Sequence, residues 1–471
     1  MVFSSAVFLF LFLPITVLVY YSPLCKAVRA KNGWLLLVSL GFYAWGEPIY
    51  ILLMLLSIAV NYVLGRCAEK TARTAQGRTV VVIACVYNLG VLFVFKYTAW
   101  ILRDVLQYDV TRTPFASLAL PIGISFYTFQ TLSYVIDVYR GSQKAQRNLL
   151  DAGLYIAFFP QLIAGPIVRY GTVSAMLLER THRFSDFSEG TRRFIIGLSK
   201  KLLIANNVAP VVYHAFNAGA AERSVLFAWG GAFAFTLQIY FDFSGYSDMA
   251  IGLGKMFGFT FSENFNYPYI AASVREFWRR WHISLSSWFR EYLYIPLGGN
   301  RKGKYRTYLH LLIVFAATGL WHGASWNFVG WGLYHGAFML LERVGFCRFL
   351  DREGAGYRLL GHLYTLFVVV TGWVFFRAES LGSAVSFLAR MLCLQAPSHA
   401  PLPFGVYVGT QGLLAFLLGV LGCGVIQSLF GKRLIRYKNG LAEAVYLALV
   451  LFYCIVLLAN QSYNPFIYFR F

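Results

Sequence analysis

Apolar runs of near membrane-spanning length recur almost from end to end of the chain, and this repetition constrains the fold more than any other feature. A hydrocarbon core of about 30 Å takes about 20 helical residues to cross, and a helix satisfies its backbone polar groups within itself. Counting such runs predicts an all-α polytopic membrane protein with about eleven spans plus re-entrant or interfacial helices. The chain is 58% hydrophobic and 13% charged, with a mean hydropathy of +0.59. An average soluble domain carries roughly 25% charged residues, so a soluble globule is excluded. A single integral-membrane domain over residues 1–471 is expected.

The first run, Phe3 to Tyr21, lacks a preceding basic stretch and a following small-residue cleavage site, so it reads as a retained first span. Basic clusters follow at Lys26, Arg29 and Lys31, and again at Arg66, Lys70, Arg73 and Arg78, with two spans between them. Two spans return the chain to the same side, which the positive-inside rule assigns to the cytoplasm. The N-terminus is then expected to face outward. Lys144 and Arg147, Arg301 to Arg306, and Lys432 to Lys438 are further cytoplasmic clusters.

A formal charge of +21 suggests nucleic acid, yet these residues sit in short loops between apolar runs, as expected over anionic lipid headgroups. No nucleic-acid partner is expected; membrane lipids are. Seven cysteines, at 25, 67, 85, 347, 393, 423 and 454, show no paired spacing and read as small core residues.

Pro121 to Gln130 and Phe158 to Pro166 break the apolar pattern with Pro and Gly, predicting re-entrant or kinked elements that need protein or a cavity around them. Residues 170–201 are the longest polar stretch and read as a surface segment on the cytoplasmic face. No repeat of 20 to 50 residues and no two-half symmetry is evident.

The stretch 274–297 is too charged to span a bilayer and too aromatic for a plain loop. Read as one amphipathic, interface-like helix, it carries Trp278, Trp281, Leu285, Trp288 and Tyr292 on one stripe and Arg275, Arg279, His282 and Ser286 on another. Indoles and guanidiniums at the headgroup level can simply anchor such a helix. A basic face beside His282 can instead bind a phosphate-rich donor or shuttle a proton; both readings stay open.

The second candidate lies in a run from Leu311 to Leu341 without a charged residue, where a polar insert, Gly319 to Asn327, marks the join of two spans. His322 in that insert sits at or within membrane depth, where a polar side chain is a functional candidate by default. Removal from water favours the neutral imidazole, which can accept a proton from a hydroxyl nucleophile. His335 repeats the His-Gly dipeptide thirteen residues on, but on another helix face, and reads as packing or as support for the site.

Asp242 and Asp248 lie among aromatic residues and must find donors or stay protonated. They are candidates for orienting the histidines, for a proton path, or for satisfying broken backbone around Gly245. No metal site is expected, since no two histidines share a ligand-like spacing. G-x-S-x-G, P-loop and H-E-x-x-H patterns are absent, which disfavours a serine hydrolase and an ATP-driven machine.

In these motifs the sequence resembles the membrane-bound O-acyltransferase superfamily, in its bacterial branch of alginate O-acetyltransferase-like proteins. The resemblance rests on Met1 to Ser5, Pro121 to Tyr127, Leu162 to Pro166, Tyr240 to Gly252, Glu276 to Arg290, Gly298 to Arg301, Leu320 to Gly323 and Asn464 to Phe469. These lie in the family's order over essentially the whole chain. The resemblance implies a helical fold with a funnel or tunnel across the bilayer, and a bacterial inner-membrane location. It implies no tightly bound cofactor, acetyl-CoA as co-substrate, and transfer of an acetyl group toward hydroxyls of an extracytoplasmic polysaccharide.

It places the leading catalytic histidine on His322 and the second on His282. Arg275, Arg279, Arg280, Trp278, Trp321 and Asn300 are the donor-side candidates; from the family itself nothing beyond motif membership passes to Asp242, Asp248 or Asn300. A periplasmic SGNH-type acetyltransferase partner, with polysaccharide secretion components, is implied because the chain has no such serine motif of its own. A proton-coupled transporter or a scaffold of a secretion complex is the alternative, and would leave both histidine motifs without a chemical reason.

Overall fold

A computed structural model describes residues 1–219, 223–345, 348, 354–394, 404–426, 440–460, 466 and 467. The basic cluster at 432–438, Cys347 and most of the segment 464–469 lie outside the described residues. Among the described residues no strand occurs. Among the described residues six helices are long and apolar enough to cross a membrane: Ile51–Lys70, Ala75–Lys96, Phe184–Asn217, Val225–Met256, Ala355–Arg377 and Leu441–Asn460. Shorter apolar helices occupy Phe8–Tyr21, Leu381–Met391 and Val408–Gly424.

The expected eleven spans are therefore not matched by eleven full-length apolar helices. Val28–Gly46, Lys304–His322 and Trp326–Val344 have 19 residues each, about 28 Å at 1.5 Å per residue. They carry the Asn, His and Gly that make interhelical contacts, and so read as less apolar than helices facing lipid. Lipid-facing surface is plain elsewhere: Leu18, Val86 and Phe452 are 71%, 68% and 66% exposed, as suits a multi-pass membrane protein.

The chain forms two compact units. The first comprises Met1–Phe194 and Tyr246–Ser262. In it Ile51–Lys70 and Ala75–Lys96 form a hairpin against Ile124–Tyr139. The three helices are tied where hydrocarbon supplies no partner. Asn61 and Asn88 exchange side-chain hydrogen bonds of 3.1 and 2.8 Å, and the Thr131 hydroxyl donates to Asn88 at 2.9 Å. The proline-glycine breaks resolve into turns. Gly123 in the left-handed region opens Ile124–Tyr139, and Leu149–Ala157 stops at Phe158 before the single turn Phe159–Leu162. The polar stretch 170–201 holds the helix Tyr170–Leu178 and the first half of a helix that continues to Asn217.

Between them His182 sits 2.8 Å from the Tyr20 hydroxyl, which also accepts from Arg180 Nε at 2.9 Å. Burial, with Lys31 and Arg180 close by, pulls His182 from the ordinary 6.5 down to about 4. As pH falls, the unfolded chain takes up this proton near 6.5 and the folded chain only near 4, so stability present above pH 6.5 declines toward pH 4. His182→Gln is expected to flatten that part of the melting temperature's pH dependence, measured on detergent-solubilised protein. An unchanged slope would refute the assignment.

The second unit comprises Ile195–Gly245 and Glu263–Phe471. Its organising pair is Lys304–His322 and Trp326–Val344, turned by Gly323 to Ser325. Gly319 and Gly332 meet at their crossing: a Cβ on Gly332 would lie 2.3 Å from Phe315 O and 3.3 Å from Gly319 Cα. Backbones approach this closely only where neither helix carries a side chain. Ala355–Arg377 packs on Trp326–Val344 and is followed by Leu381–Met391, which an Ser380 and Ser383 capping box starts.

Candidate functional site

The site is built in the second unit around the turn between the paired helices. His322 is the last residue of its helix and is 3% exposed. Its position is set from the far side of the turn. Ser325 Oγ hydrogen-bonds Asn327 Oδ1, and Asn327 Nδ2 donates to Phe375 O at 3.2 Å and Ala378 O at 2.8 Å. This fastens the turn to the end of Ala355–Arg377. The imidazole is boxed by aromatic rings, with centroids 5.0 Å from Trp321, 5.0 Å from Trp331 and 5.2 Å from Phe376.

The stretch 274–294 is not one continuous helix. Val274–Arg280 ends at Trp281, which is extended at φ −99° and ψ 129°. His282 then adopts a left-handed φ of 44° and ψ of 55° before Ile283–Phe289 begins. A non-glycine residue there is strained and persists only where its surroundings hold it. The hold comes from the loop after the long helix Val225–Met256: Asn266 N–H donates to Arg280 O, and Ile283 N–H to Asn264 O, each at 2.9 Å.

This turn corrects the two-stripe picture. Trp278, Trp281, Leu285, Trp288 and Tyr292 are all buried, as the aromatic stripe requires, but His282 leaves the basic face and is 1% exposed. Arg275 and Arg279 remain exposed, and Arg280 pairs with Glu276 at 2.7 Å. Glu342 accepts the N–H groups of Val274 and Arg275 at 2.5 and 3.0 Å, a negative charge at a helix N-terminus. From there the chain runs inward: Trp278 meets Trp331 at 5.6 Å and His335 at 5.1 Å, Trp281 meets Trp373 at 4.8 Å, and His282 meets Trp321 at 6.1 Å.

His282 and His322 therefore share the Trp321 indole. The tautomer of His282 follows from its partners. Asn264 Oδ1 already accepts from the Ser284 N–H at 3.3 Å, so it is an acceptor, and His282 Nδ1 at 3.1 Å must donate to it. Nε2 then carries the lone pair, and it is buried with no hydrogen-bond partner among the described residues. A buried acceptor without a donor costs about 1–3 kcal/mol and marks a place where a ligand's donor is wanted.

His335 is fully buried with neither ring nitrogen bonded among the described residues. It belongs to the same cluster through Trp331, 5.2 Å away. Asn300 does not: it accepts from Tyr294 Oη and from Arg343 Nη2 at 3.0 Å, at the start of the 19-residue helix that ends at His322. That separates them by about 28 Å along the axis. Asp242 and Asp248 have different partners. Lys201 Nζ lies 2.6 Å from Asp242, and Arg193 Nη2 lies 2.9 Å from Asp248. The helix Val225–Met256 is continuous through Gly245, so no broken backbone there needs their help.

Sequence reasoning missed Asn264, Trp331, Phe376 and Phe243, the last meeting His282 edge-on at 4.8 Å. Asn264 left a signal, as an asparagine in a polar loop just after the long apolar helix Val225–Met256.

Residues 142–354 match the model of the membrane-bound O-acyltransferase family. The chain is 45% identical to "Probable alginate O-acetylase AlgI" of Azotobacter vinelandii, over 83% of this chain and 78% of that protein. It is 41% identical to the protein of the same name in Pseudomonas putida over the full length of both. The peptidoglycan O-acetyltransferase of Helicobacter pylori is 36% identical over 84% of this chain and 81% of its own. A membrane-embedded helical chain that carries this family's sequence through its buried histidine cluster, with full-length relatives of this kind, belongs to the membrane-bound O-acyltransferase family, in its alginate O-acetylase-like branch, and is an O-acetyltransferase.

Proposed function

We propose that the protein moves an acetyl group from acetyl-CoA toward hydroxyls of an extracytoplasmic polysaccharide such as alginate, working in the bacterial inner membrane with its N-terminus in the periplasm. The observation that carries this reading is the pair His322 and His282, both buried against Trp321, with His282 Nε2 presenting an unused lone pair.

His322 takes the proton of the acceptor hydroxyl as its oxygen attacks the thioester carbonyl; the C–S bond breaks, and the departing thiolate takes a proton to leave as free coenzyme A. The imidazolium formed on the way sits at the C-terminal end of Lys304–His322, where unpaired carbonyls favour positive charge. His282 orients the reacting group through Nε2, and Trp278 and Trp321 exclude water. Arg275 and Arg279, exposed beside Arg280, meet the donor's phosphates. Asn300 and His335 support the surrounding helices. A periplasmic SGNH-type partner completes the polysaccharide ester, among secretion components.

The test is release of coenzyme A from acetyl-CoA by purified protein in nanodiscs, with and without the partner. No release from folded wild-type protein with partner and acceptor present would point to a proton-coupled transporter or a scaffold. Asn264→Ala frees the His282 tautomer and is expected to lower release about 10- to 100-fold at unchanged donor KM. Release within twofold of wild type would refute the orienting role.

A further inference from the structure

Lys201 and Asp242 form an ion pair closed to water, with side chains 2% and 3% exposed. Desolvating two charges costs several kcal/mol per ion, and breaking such a pair leaves a buried charge behind. The geometry gives the pair a task beyond neutralising itself. Lys201 occupies Asp242 Oδ1, while Oδ2 accepts the backbone N–H of Ile467 at 2.7 Å, from a residue 225 positions along the chain.

The neighbouring Phe466 is 1% exposed. Its ring lies 5.9 Å from Lys201 Nζ and 6.4 Å from the ring of Phe243, which stands beside Asp242 in sequence and meets His282 at 4.8 Å and 89°. Asn264 fixes Nδ1 of His282, but a ring held at one nitrogen can still tilt. The edge of Phe243, with Phe265 stacked at 6.5 Å and Trp321 at 6.1 Å, limits that tilt, and Phe466 packs behind Phe243 together with Phe265.

We propose that Asp242 and Lys201 anchor Phe466 and Ile467 as a wedge behind Phe243, so that Phe466 is a positioning residue for His282. The inference rests on the reading that His282 serves acetyl transfer. In this arrangement the carboxylate divides its two oxygens between the ammonium and the amide, and replacing the pair by apolar residues of similar size removes the anchor without orphaning a charge.

The experiment uses full-length protein in nanodiscs, reading coenzyme A release and hydrogen exchange of the peptide containing Ile467. Phe466→Ala is expected to lower kcat about tenfold at unchanged donor KM, and Phe466→Tyr to restore most of it. The double variant Lys201→Met with Asp242→Leu is expected to speed exchange of the Ile467 amide at least about tenfold and to lower kcat alike. Folded Phe466→Ala protein with kcat within twofold of wild type, or an Ile467 amide equally protected in the double variant, overturns the proposal. His282→Gln separates the two readings. Lost transfer there with unaffected Phe466→Ala defeats the wedge alone, whereas wild-type transfer in His282→Gln defeats the site reading and the wedge with it.

Discussion

His322→Ala is expected to lower acetyl transfer by about 10²–10⁴-fold, the range that a positioned general base contributes, while the protein inserts and purifies as the wild type does. The retained fold follows from how the ring is held. Its neighbours Trp321, Trp331 and Phe376 each have other aromatic partners: Trp331 stacks near Trp373 at 6.0 Å, and Phe376 meets Phe328 at 5.1 Å. The turn beyond is fastened by Asn327. Loss should therefore appear in kcat, with the donor KM little changed, because the proton is taken only as the transition state forms. His322→Gln, closer in size, should be equally inactive; a glutamine that keeps transfer would show the ring to be a packing element.

The opposite kind of failure is expected at the helix crossing. In Gly332→Leu the new Cβ alone would lie 2.3 Å from Phe315 O, and that atom is backbone, with no rotamer to change. The helices must part, at about 3 kcal/mol or more, and since Trp331 is the adjacent residue the His322 box opens with them. Little monodisperse protein is expected by size-exclusion chromatography. Gly332→Ala should fold less stably and lose about tenfold or more in transfer, because small displacements of reacting groups cost about 10²-fold per ångström. Gly90→Ala is the matched control: nothing lies within 4 Å of a Cβ there, so normal behaviour is expected. If Gly332→Leu folds and works as the wild type does, the close crossing does not set the site.

The two histidines show how unevenly a sequence discloses a site. The place of His322, buried at the join of two helices, was legible because a polar insert in a charge-free run marks such a join. His282 was found as a motif but misplaced, since a helical projection of 274–294 assumes a constant 100° per residue, and the chain departs from that at Trp281 and His282. The cause of the departure, the loop at Asn264 and Asn266, lies 14 to 18 residues away in sequence. Asp242 and Asp248 looked like a pair in one motif. Six helical steps turn one about 240° from the other, and each takes a different basic partner.

What the sequence determined by itself was whatever depends on the solvent: a bilayer demands helices of a certain length, apolar outward surface and polar residues confined to the interior. These are averages over 20-residue windows and survive any arrangement of the helices. What only the tertiary structure decided depends on single contacts between distant segments. They are the Gly319 and Gly332 crossing, the Asn264 acceptor that sets the His282 tautomer, and the aromatic box closed by Trp331 and Phe376. Such contacts form when packing brings particular side chains within about 4–6 Å, a condition that no local periodicity encodes.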